Sequence, residues 1–198
     1  MFTGLIETIG SVTGLKVLKG GLRLTVTTPK TLKLRLGDSI AVDGCCQTVV
    51  ECSKNAFSVI AVEETLKKTN FSKLSKGSCV NIERPMAAKE RFGGHFVLGH
   101  IDCVTKVVKI EKKDSSRMFW FDVPAEYSRL LIPVGSVAVN GVSLTVARLK
   151  KDSFGVSIIP HTFDHTTFQH IRKGDNVNLE FDVIGKYVQR LMDANKKG

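Results

Sequence analysis

An internal duplication restricts the fold of this chain more strongly than any other feature of its sequence. Residues 39–84 reappear without a gap at 136–181, 97 positions later, and Gly4-Leu5-Ile6-Glu7 has a counterpart in Gly99-His100-Ile101-Asp102 at an offset of 95. Matched positions include Ser39 and Ser136, Gly44 and Gly141, Thr48 and Thr145, Thr65 and Thr162, Asn81 and Asn178, and Glu83 and Glu180. A period this long indicates a duplicated domain rather than a solenoid repeat. The sequence therefore predicts two similar domains with two similar sites, whose chemistry differs where the copies differ.

Short alternating segments in each copy predict antiparallel strands. Residues 22–27, 39–42 and 57–60 alternate in the first copy, and residues 118–123, 136–139 and 154–158 match them in the second. Turns such as Asp43-Gly44 and Asn140-Gly141 separate these segments, as is typical of hairpins. In a domain of about 90 residues, such strands favour a small closed barrel, because closure removes exposed sheet edges.

Helices are expected at a few places only. A leading proline suits a first helical turn, so Pro29–Leu34 and its counterpart Pro124–Leu131 are predicted to be short helices. Residues 64–69 and 161–166 are each long enough for one or two turns. The tail at 183–192 carries apolar residues at i, i+3 and i+4 spacing, and its apolar face favours self-assembly over packing on its own chain. The predicted domains are residues 1–94 and 95–182, followed by a helix and tail at 183–198.

Composition and charge argue against several classes of protein. A hydrophobic content of 42% with five prolines argues against disorder. No apolar run reaches about 18 residues and no secretory signal is recognisable, so a cytoplasmic location is predicted. Five cysteines, with Cys45 and Cys46 adjacent, favour reduced thiols over disulfides or a metal site. The net charge of +10 is spread over expected turns, which favours a solvated surface over nucleic-acid binding.

Five sequence blocks resemble riboflavin synthase, in the same order along the chain. They are Met1–Glu7, Gly44–Val49, Gly93–Asp102, Gly141–Val146 and Ile159–Thr162. The resemblance extends from Met1 to about Leu191. It implies an all-β fold of two similar six-stranded antiparallel Greek-key barrels, assembled as a homotrimer through a C-terminal amphipathic helix.

The resemblance also implies an activity. Each barrel of this family binds one 6,7-dimethyl-8-ribityllumazine, and a four-carbon unit passes from one lumazine to the other. The products are riboflavin and 5-amino-6-ribitylamino-2,4(1H,3H)-pyrimidinedione, with no cofactor and no metal. The site lies between the N-terminal barrel of one subunit and the C-terminal barrel of another. The implied partners are the substrate, further copies of the chain and lumazine synthase.

A pteridine is a flat ring edged with hydrogen-bonding groups, which an apolar slot with a few polar anchors suits. In the first barrel the resemblance places ligand contacts at Gly4, Leu5, Ile6, Cys46, Gln47, Thr48, Ile60, Ala61, Val62, Glu63, Glu64 and Thr65. In the second barrel it places them at Gly99, His100, Ile101, Ser143, Leu144, Thr145, Ser157, Ile158, Ile159, Pro160, His161 and Thr162. β-Propensity alone explains a single strand threonine, but threonines paired across both copies favour ligand contact.

The two copies differ at Cys46 versus Ser143 and at the position of His100, which suggests separate catalytic roles. One lumazine must lose a proton from its 7-methyl group, and the other must be activated at C7 by a nucleophile. Because histidine titrates near neutral pH, His100 is a candidate proton shuttle; a hydrogen-bonded strand histidine is the alternative. Cys46 or Ser143 is a candidate to add to C7 or to orient water there, although Cys46 also suits a small buried position. The resemblance adds Ser39, and Asp182 as the group that activates Ser143.

Two positions depart from the family, and three other functions compete. Val134 stands where many members carry a lysine that reaches the substrate, and Gln47 stands where an apolar residue is usual. A non-catalytic lumazine- or flavin-binding protein on the same fold is the closest alternative, but the second copy keeps Gly141–Val146 and Pro160-His161-Thr162, which favours the enzyme. A barrel that binds single-stranded nucleic acid needs exposed aromatic residues, and most of these are phenylalanines at inward positions. A flavin-dependent reductase needs a nucleotide-binding domain, for which no glycine-rich signature is present.

Overall fold

The alternating segments form two closed antiparallel barrels of six strands each in the computed structural model, which describes residues 1–195. The first barrel contains β1 (Thr8–Leu18), β2 (Gly21–Thr27), β3 (Ser39–Val42), β4 (Cys45–Cys52), β5 (Ala56–Val62) and β6 (Cys79–Glu83). The second contains β7 (Cys103–Lys112), β8 (Arg117–Asp122), β9 (Ser136–Val139), β10 (Val142–Leu149), β11 (Ser153–Ile158) and β12 (Asn176–Phe181). The strand order β1-β2-β5-β4-β3-β6 recurs in the second barrel. The predicted all-β, two-barrel fold is confirmed.

Each barrel encloses its own hydrophobic core. Strand β2 alternates buried and half-buried residues along its length, as period-two side-chain geometry requires. Phe57 and Phe71 are buried in the first core, and their counterparts Phe154 and Phe168 are buried in the second. Each such ring contributes about 1.5–3 kcal/mol by leaving water, so each copy has the apolar content of an independent core.

Two equivalent hairpin turns bring the barrels together. Asp43-Gly44 and Asn140-Gly141 join β3 to β4 and β9 to β10, and all four residues have positive φ, the conformation of a type I′ hairpin turn. A Cβ added to Gly44 would lie 2.6 Å from the Gly141 nitrogen. A Cβ added to Gly141 would likewise lie 2.7 Å from Gly44, so the two turns meet where only glycine fits.

Asparagines in the last strand of each barrel hydrogen-bond across this junction. Asn81 Nδ2 donates to the Asn140 carbonyl, and Asn178 Nδ2 donates to the Asp43 carbonyl, both at 2.9 Å. The buried carboxylate of Asp43 also accepts from Asn81 N at 2.8 Å and from Asn70 Nδ2 at 3.3 Å. Burial raises the pKa of Asp43 to about 7. The first turn therefore carries a titratable carboxyl at the position where the second turn carries the neutral amide of Asn140.

The chain crosses between the barrels in both directions. We call residues 2–7 the first crossing segment and residues 97–102 the second. Phe2 and Val97 form an antiparallel bridge, with Phe2 N donating to Val97 O at 2.8 Å. Beyond this bridge, half-buried Ile6 packs against the second core, whereas Ile101 is buried in the first. Each segment thus leads into one barrel while contacting the other.

Most of the predicted helices form, with one exception. Residues 64–69 and 161–166 correspond to α1 (Glu63–Lys68) and α2 (Pro160–His165), and residues 124–131 contain a 3-10 helix at Ala125–Leu130. The prediction of a helix at Pro29–Leu34 is wrong, because this segment is irregular. It is two residues shorter than its counterpart, and its Leu32 side chain is drawn into the first core.

The tail forms the helix α3 (Val183–Asn195), as predicted. Its apolar side chains are largely exposed, namely Ile184, Tyr187, Val188, Leu191 and Met192. Residues 196–198 of the predicted tail lie outside the described residues. A groove of about 660 Å³ runs beside the helix and is lined by Ile132, Ser136 and Val188 among others. Helix α3 therefore presents an exposed apolar face next to the second barrel.

Candidate functional site

Each barrel carries a partly exposed face built from equivalent side chains of two neighbouring strands and the helix that follows. The first face consists of Cys46, Thr48, Ile60, Val62 and Thr65, from β4, β5 and α1. The second face consists of Ser143, Thr145, Ser157, Ile159 and Thr162, from β10, β11 and the adjoining α2. Exposed apolar side chains stand beside hydroxyls on both faces, and this combination suits one side of a flat, polar-edged ring.

The first crossing segment contacts the second face, and the second crossing segment contacts the first face. Cys46 N donates to Gly99 O at 2.8 Å on the first face, and Ser143 N donates to Gly4 O at 2.9 Å on the second. The expected grouping of residues 4–6 with the first barrel's contacts and 99–101 with the second's is therefore wrong. Exposed His100 borders the first face, and exposed Leu5 borders the second.

Glycine is required at both exchange points. Gly4 and Gly99 have φ of 77° and 82°, a region that disfavours other residues. A Cβ on Gly4 would lie 2.6 Å from Ser143 Cβ, and one on Gly99 would lie 2.5 Å from Cys46 Cβ. The glycines therefore set how closely each segment approaches the face.

The first face combines a protonated thiol with an exposed imidazole. Burial raises the pKa of the Cys46 thiol, a hydrogen bond from Ser39 lowers it, and the charge of Glu180 raises it further. The net increase keeps Cys46 in the thiol form at neutral pH, which disfavours it as a nucleophile. The pairing of β3 with β4 places Ser39 opposite Thr48, two residues along β4 from Cys46.

The second face contains a hydroxyl–imidazole pair that was not predicted from the sequence. His95 Nδ1 lies 2.7 Å from Ser143 Oγ. His95 is buried, and this burial lowers its pKa despite the opposing charge of Asp182. Among the described residues no hydrogen-bond partner lies near its buried Nε2. A neutral imidazole in this position can accept the serine proton; the only sequence signal was its place after Gly93-Gly94.

Asp182 lies at the start of α3 and acts on this pair from a distance. Its Oδ1 accepts the Ile184 N–H at 2.9 Å, which caps the first turn of the helix. Its negative charge favours the protonated form of His95. Asp182 thus caps α3, and its charge opposes the lowering of the His95 pKa.

Several of the expected contact residues turn their side chains away from the faces. Ala61 and Ile158 lie in the barrel cores, so they can offer a ligand only backbone groups. Gln47 is buried and donates to the Cys46 carbonyl at 2.7 Å, while half-buried Leu144 packs on the second core. Glu63, Glu64, Pro160 and His161 are exposed at the first turns of α1 and α2. Exposed Val134 occupies a turn with φ of 63°, where its counterpart is Gly37.

Two further properties of the described residues bear on function. Residues 1–195 contain no group of three or more His, Cys, Asp or Glu side chains placed to hold a metal ion. Within the same part of the chain, no helix has the length and apolar character needed to cross a membrane.

Comparison with known proteins agrees with this architecture. A family model described as "Lumazine binding domain" matches residues 3–85 and again residues 98–182. The structure of LumP complexed with riboflavin superimposes with a TM-score of 0.85 over 91% of this chain and 99% of that one, and that of LumP with 6,7-dimethyl-8-(1'-D-ribityl) lumazine with a TM-score of 0.83 over the same shares. At 22% identity these similarities establish the fold alone. The fold and its two faces define a tandem lumazine-binding-domain protein.

Relatives with higher sequence identity show which family within this class the chain belongs to. A riboflavin synthase from Bacillus subtilis (strain 168) is 43% identical over 193 residues, which cover 97% of this chain and 90% of the relative. A riboflavin synthase from Mycobacterium tuberculosis (strain CDC 1551 / Oshkosh) is 42% identical over 197 residues, which cover 97% and 98%. The chain belongs to the riboflavin synthase family of enzymes.

Proposed function

We propose that this chain converts two molecules of 6,7-dimethyl-8-ribityllumazine into riboflavin and 5-amino-6-ribitylamino-2,4(1H,3H)-pyrimidinedione by transfer of a four-carbon unit. Two equivalent faces provide one position for each lumazine. The observation that carries the proposal is the 2.7 Å contact between His95 Nδ1 and Ser143 Oγ on the second face. The equivalent position on the first face holds a thiol with a raised pKa. Faces of similar shape but different reactivity suit a reaction whose two identical substrates play different roles.

On the second face, Ser143 and His95 activate the lumazine at C7. The neutral imidazole accepts the Ser143 proton, and the hydroxyl oxygen either adds to C7 or orients a water molecule that does so. Asp182 stabilises the imidazolium that forms, because its charge already favours that state. Thr145 and Thr162 supply hydroxyls to the ring edge or the ribityl chain.

On the first face, His100 is the group that removes a proton from the 7-methyl group of the other lumazine. It is exposed on the second crossing segment, next to the residue that binds Cys46 N. Cys46, with Ser39 beside it, orients the ring as a neutral hydrogen-bonding group. Ile60 and Val62 provide apolar contact for the ring.

Each face covers only one side of a planar ligand, so the opposite side must be covered by another molecule. We propose that the first face of one chain meets the second face of a neighbour, and that three chains assemble through the apolar side chains of α3. We also propose that the protein is cytoplasmic and that it associates with lumazine synthase. The domains that we propose are residues 1–94 and 95–182, followed by a helix and tail at 183–198.

A kinetic experiment tests the activity and the role of His95 together. The purified chain is incubated with the lumazine, and riboflavin is followed by its absorbance. His95→Gln should lower kcat by about 10²–10⁴-fold, the usual contribution of an acid–base group, while riboflavin affinity changes less than about threefold. His170→Gln, at an exposed position, is the matched control and should keep full turnover.

Three results separate the alternatives. Riboflavin binding without turnover in the unmodified chain would identify a non-catalytic binding protein. Turnover with an unaffected His95→Gln variant would reject the pairing with Ser143 as a catalytic device. Loss of turnover in His100→Gln with normal ligand affinity would support the proton shuttle.

A further inference from the structure

A buried carboxylate holds each crossing segment. Glu180 Oε1 accepts the Leu98 N–H at 2.8 Å, and its Oε2 accepts the Gly99 N–H at 3.0 Å. Glu83 Oε1 accepts from Thr3 N at 2.7 Å and Thr3 Oγ1 at 2.9 Å, and its Oε2 accepts from Gly4 N at 3.1 Å. Both carboxylates are nearly inaccessible, with exposed fractions of 2% for Glu180 and 4% for Glu83.

A single glycine links each carboxylate to the face of the opposite barrel. Gly99 donates its N–H to Glu180 of the second barrel and accepts, at its carbonyl, the N–H of Cys46 on the first face. Gly4 connects Glu83 of the first barrel to Ser143 on the second face in the same way. Movement of either carboxylate is therefore transmitted to the opposite face through a single residue.

We propose that Glu180 and Glu83 are positioning residues, each of which orders the ligand face of the barrel to which it does not belong. Glu180 fixes the segment that presents His100 and the Gly99 carbonyl to the first face. Glu83 fixes the segment that presents Leu5 and the Gly4 carbonyl to the second. This inference rests on the proposed function, because it assumes that a flavin or lumazine binds to these faces.

A carboxylate is suited to this position because it offers two acceptor atoms to two backbone N–H groups. Hydrogen bonds to an ionised acceptor are about twice as strong as neutral ones. A glutamine has one acceptor, and its NH₂ group would face a backbone N–H. Replacement therefore leaves one buried donor unsatisfied, which is costly. The expected consequence is a displaced crossing segment and a weakened face on the opposite barrel.

The charge of Glu180 also provides a signal that a purely structural role would not. The pKa of Cys46 is raised by burial and also by Glu180, and it is lowered by Ser39 and the N-terminal ammonium group. Burial raises the pKa of Glu180 itself to about 7, with Lys186 opposing and Asp102 adding to the rise. Above pH 8 Glu180 is ionised, so removing its charge should lower the pKa of Cys46.

Alkylation of Cys46 by iodoacetamide tests the proposal in the full chain. The extent of alkylation is measured by peptide mass mapping between pH 7 and pH 10, with and without riboflavin. Glu180→Gln should move the alkylation curve of Cys46 to lower pH and weaken riboflavin protection of this thiol by about tenfold, the effect of one charged hydrogen bond. Glu83→Gln is the matched control for ligand protection, because Glu83 holds the segment at the second face, and it should leave riboflavin protection of Cys46 unchanged.

The outcomes separate this inference from the proposed function. If riboflavin fails to protect Cys46 in the unmodified chain, the proposed ligand face is wrong. If protection occurs but Glu180→Gln leaves the alkylation curve and the protection unchanged, Glu180 does not position the first face. Equal loss of protection in Glu83→Gln would likewise refute the assignment of each carboxylate to the opposite barrel. If Glu180→Gln does not fold, Glu180→Asp replaces it. This variant keeps the negative charge, but its shorter side chain moves the carboxylate away from Leu98 and Gly99. The proposal then requires weaker riboflavin protection of Cys46 with no shift of its alkylation curve to lower pH.

Discussion

The substitution Gly99→Ala tests most directly whether contact with the second crossing segment orders the first face. At a φ of 82° an alanine pays about 1–2 kcal/mol for a left-handed backbone, partly offset by about 0.4–1 kcal/mol from a less flexible unfolded chain. The new methyl group would also lie 2.5 Å from Cys46 Cβ and 2.9 Å from Cys46 N. The segment must therefore retreat and lose its hydrogen bond to Cys46 N, at a further cost of about 1 kcal/mol plus weakened bonds to Glu180.

Two other glycines separate the conformational cost from the steric one. Gly77 and Gly174 have φ of 93° and 95°, but no described atom lies within 4 Å of a Cβ added to either. Alanine at these sites should cost about 1 kcal/mol in urea unfolding, whereas Gly99→Ala should cost about 3 kcal/mol and abolish riboflavin protection of Cys46. Equal losses at Gly77 and Gly99, with protection intact, would show that the close contact does not order the face.

Three more predictions follow from individual residues. Asp43 has a folded-state pKa of about 7, above its ordinary value near 3.8, so its contribution to stability is complete at low pH and is lost as pH rises towards 7. At pH 8, Asp43→Asn should therefore be more stable than the parent by at least about 1 kcal/mol in urea unfolding. A parent protein whose stability stays constant from pH 5 to pH 8 would contradict this. Val134 is exposed and has a left-handed backbone, whereas its counterpart is Gly37. Val134→Gly should therefore stabilise the protein by up to about 1 kcal/mol. An unchanged or lower midpoint of thermal unfolding would show that no strain is stored at this position. Replacing Tyr187 and Leu191 by serine should reduce the assembled mass in light scattering and leave the unfolding transition of the barrels in place, while an unchanged mass would remove α3 from the assembly contact.

The duplicated positions made most of the barrels predictable from sequence. Alternation located β2 and β5, and the repeated Thr48 and Thr145 pointed to equivalent faces. A repeat, however, shows only which residues correspond; it does not show which copy a segment contacts. The contacts of Gly4 with Ser143 and of Gly99 with Cys46 depend on the docking of the two barrels and could not be predicted.

Local rules also failed where tertiary packing decided the outcome. The proline at the start of Pro29–Leu34 favours a helical turn, but the shorter loop and the burial of Leu32 override it. His95 was overlooked because a histidine after two glycines has no distinctive spacing to a serine 48 residues away. Buried Glu83 and Glu180 were visible as a repeated pair, but nothing in the sequence distinguished them from other strand residues.

His95 lies on the connection between the two matched segments at residues 3–85 and 98–182. In a dimer of identical single barrels, any group on one half would be repeated on the other, and both halves would react alike. Joining the halves through a covalent connector allows His95 to lie beside one face only. The connector therefore makes the two faces chemically different, and the reaction we propose requires such a difference because one lumazine donates carbon and the other accepts it.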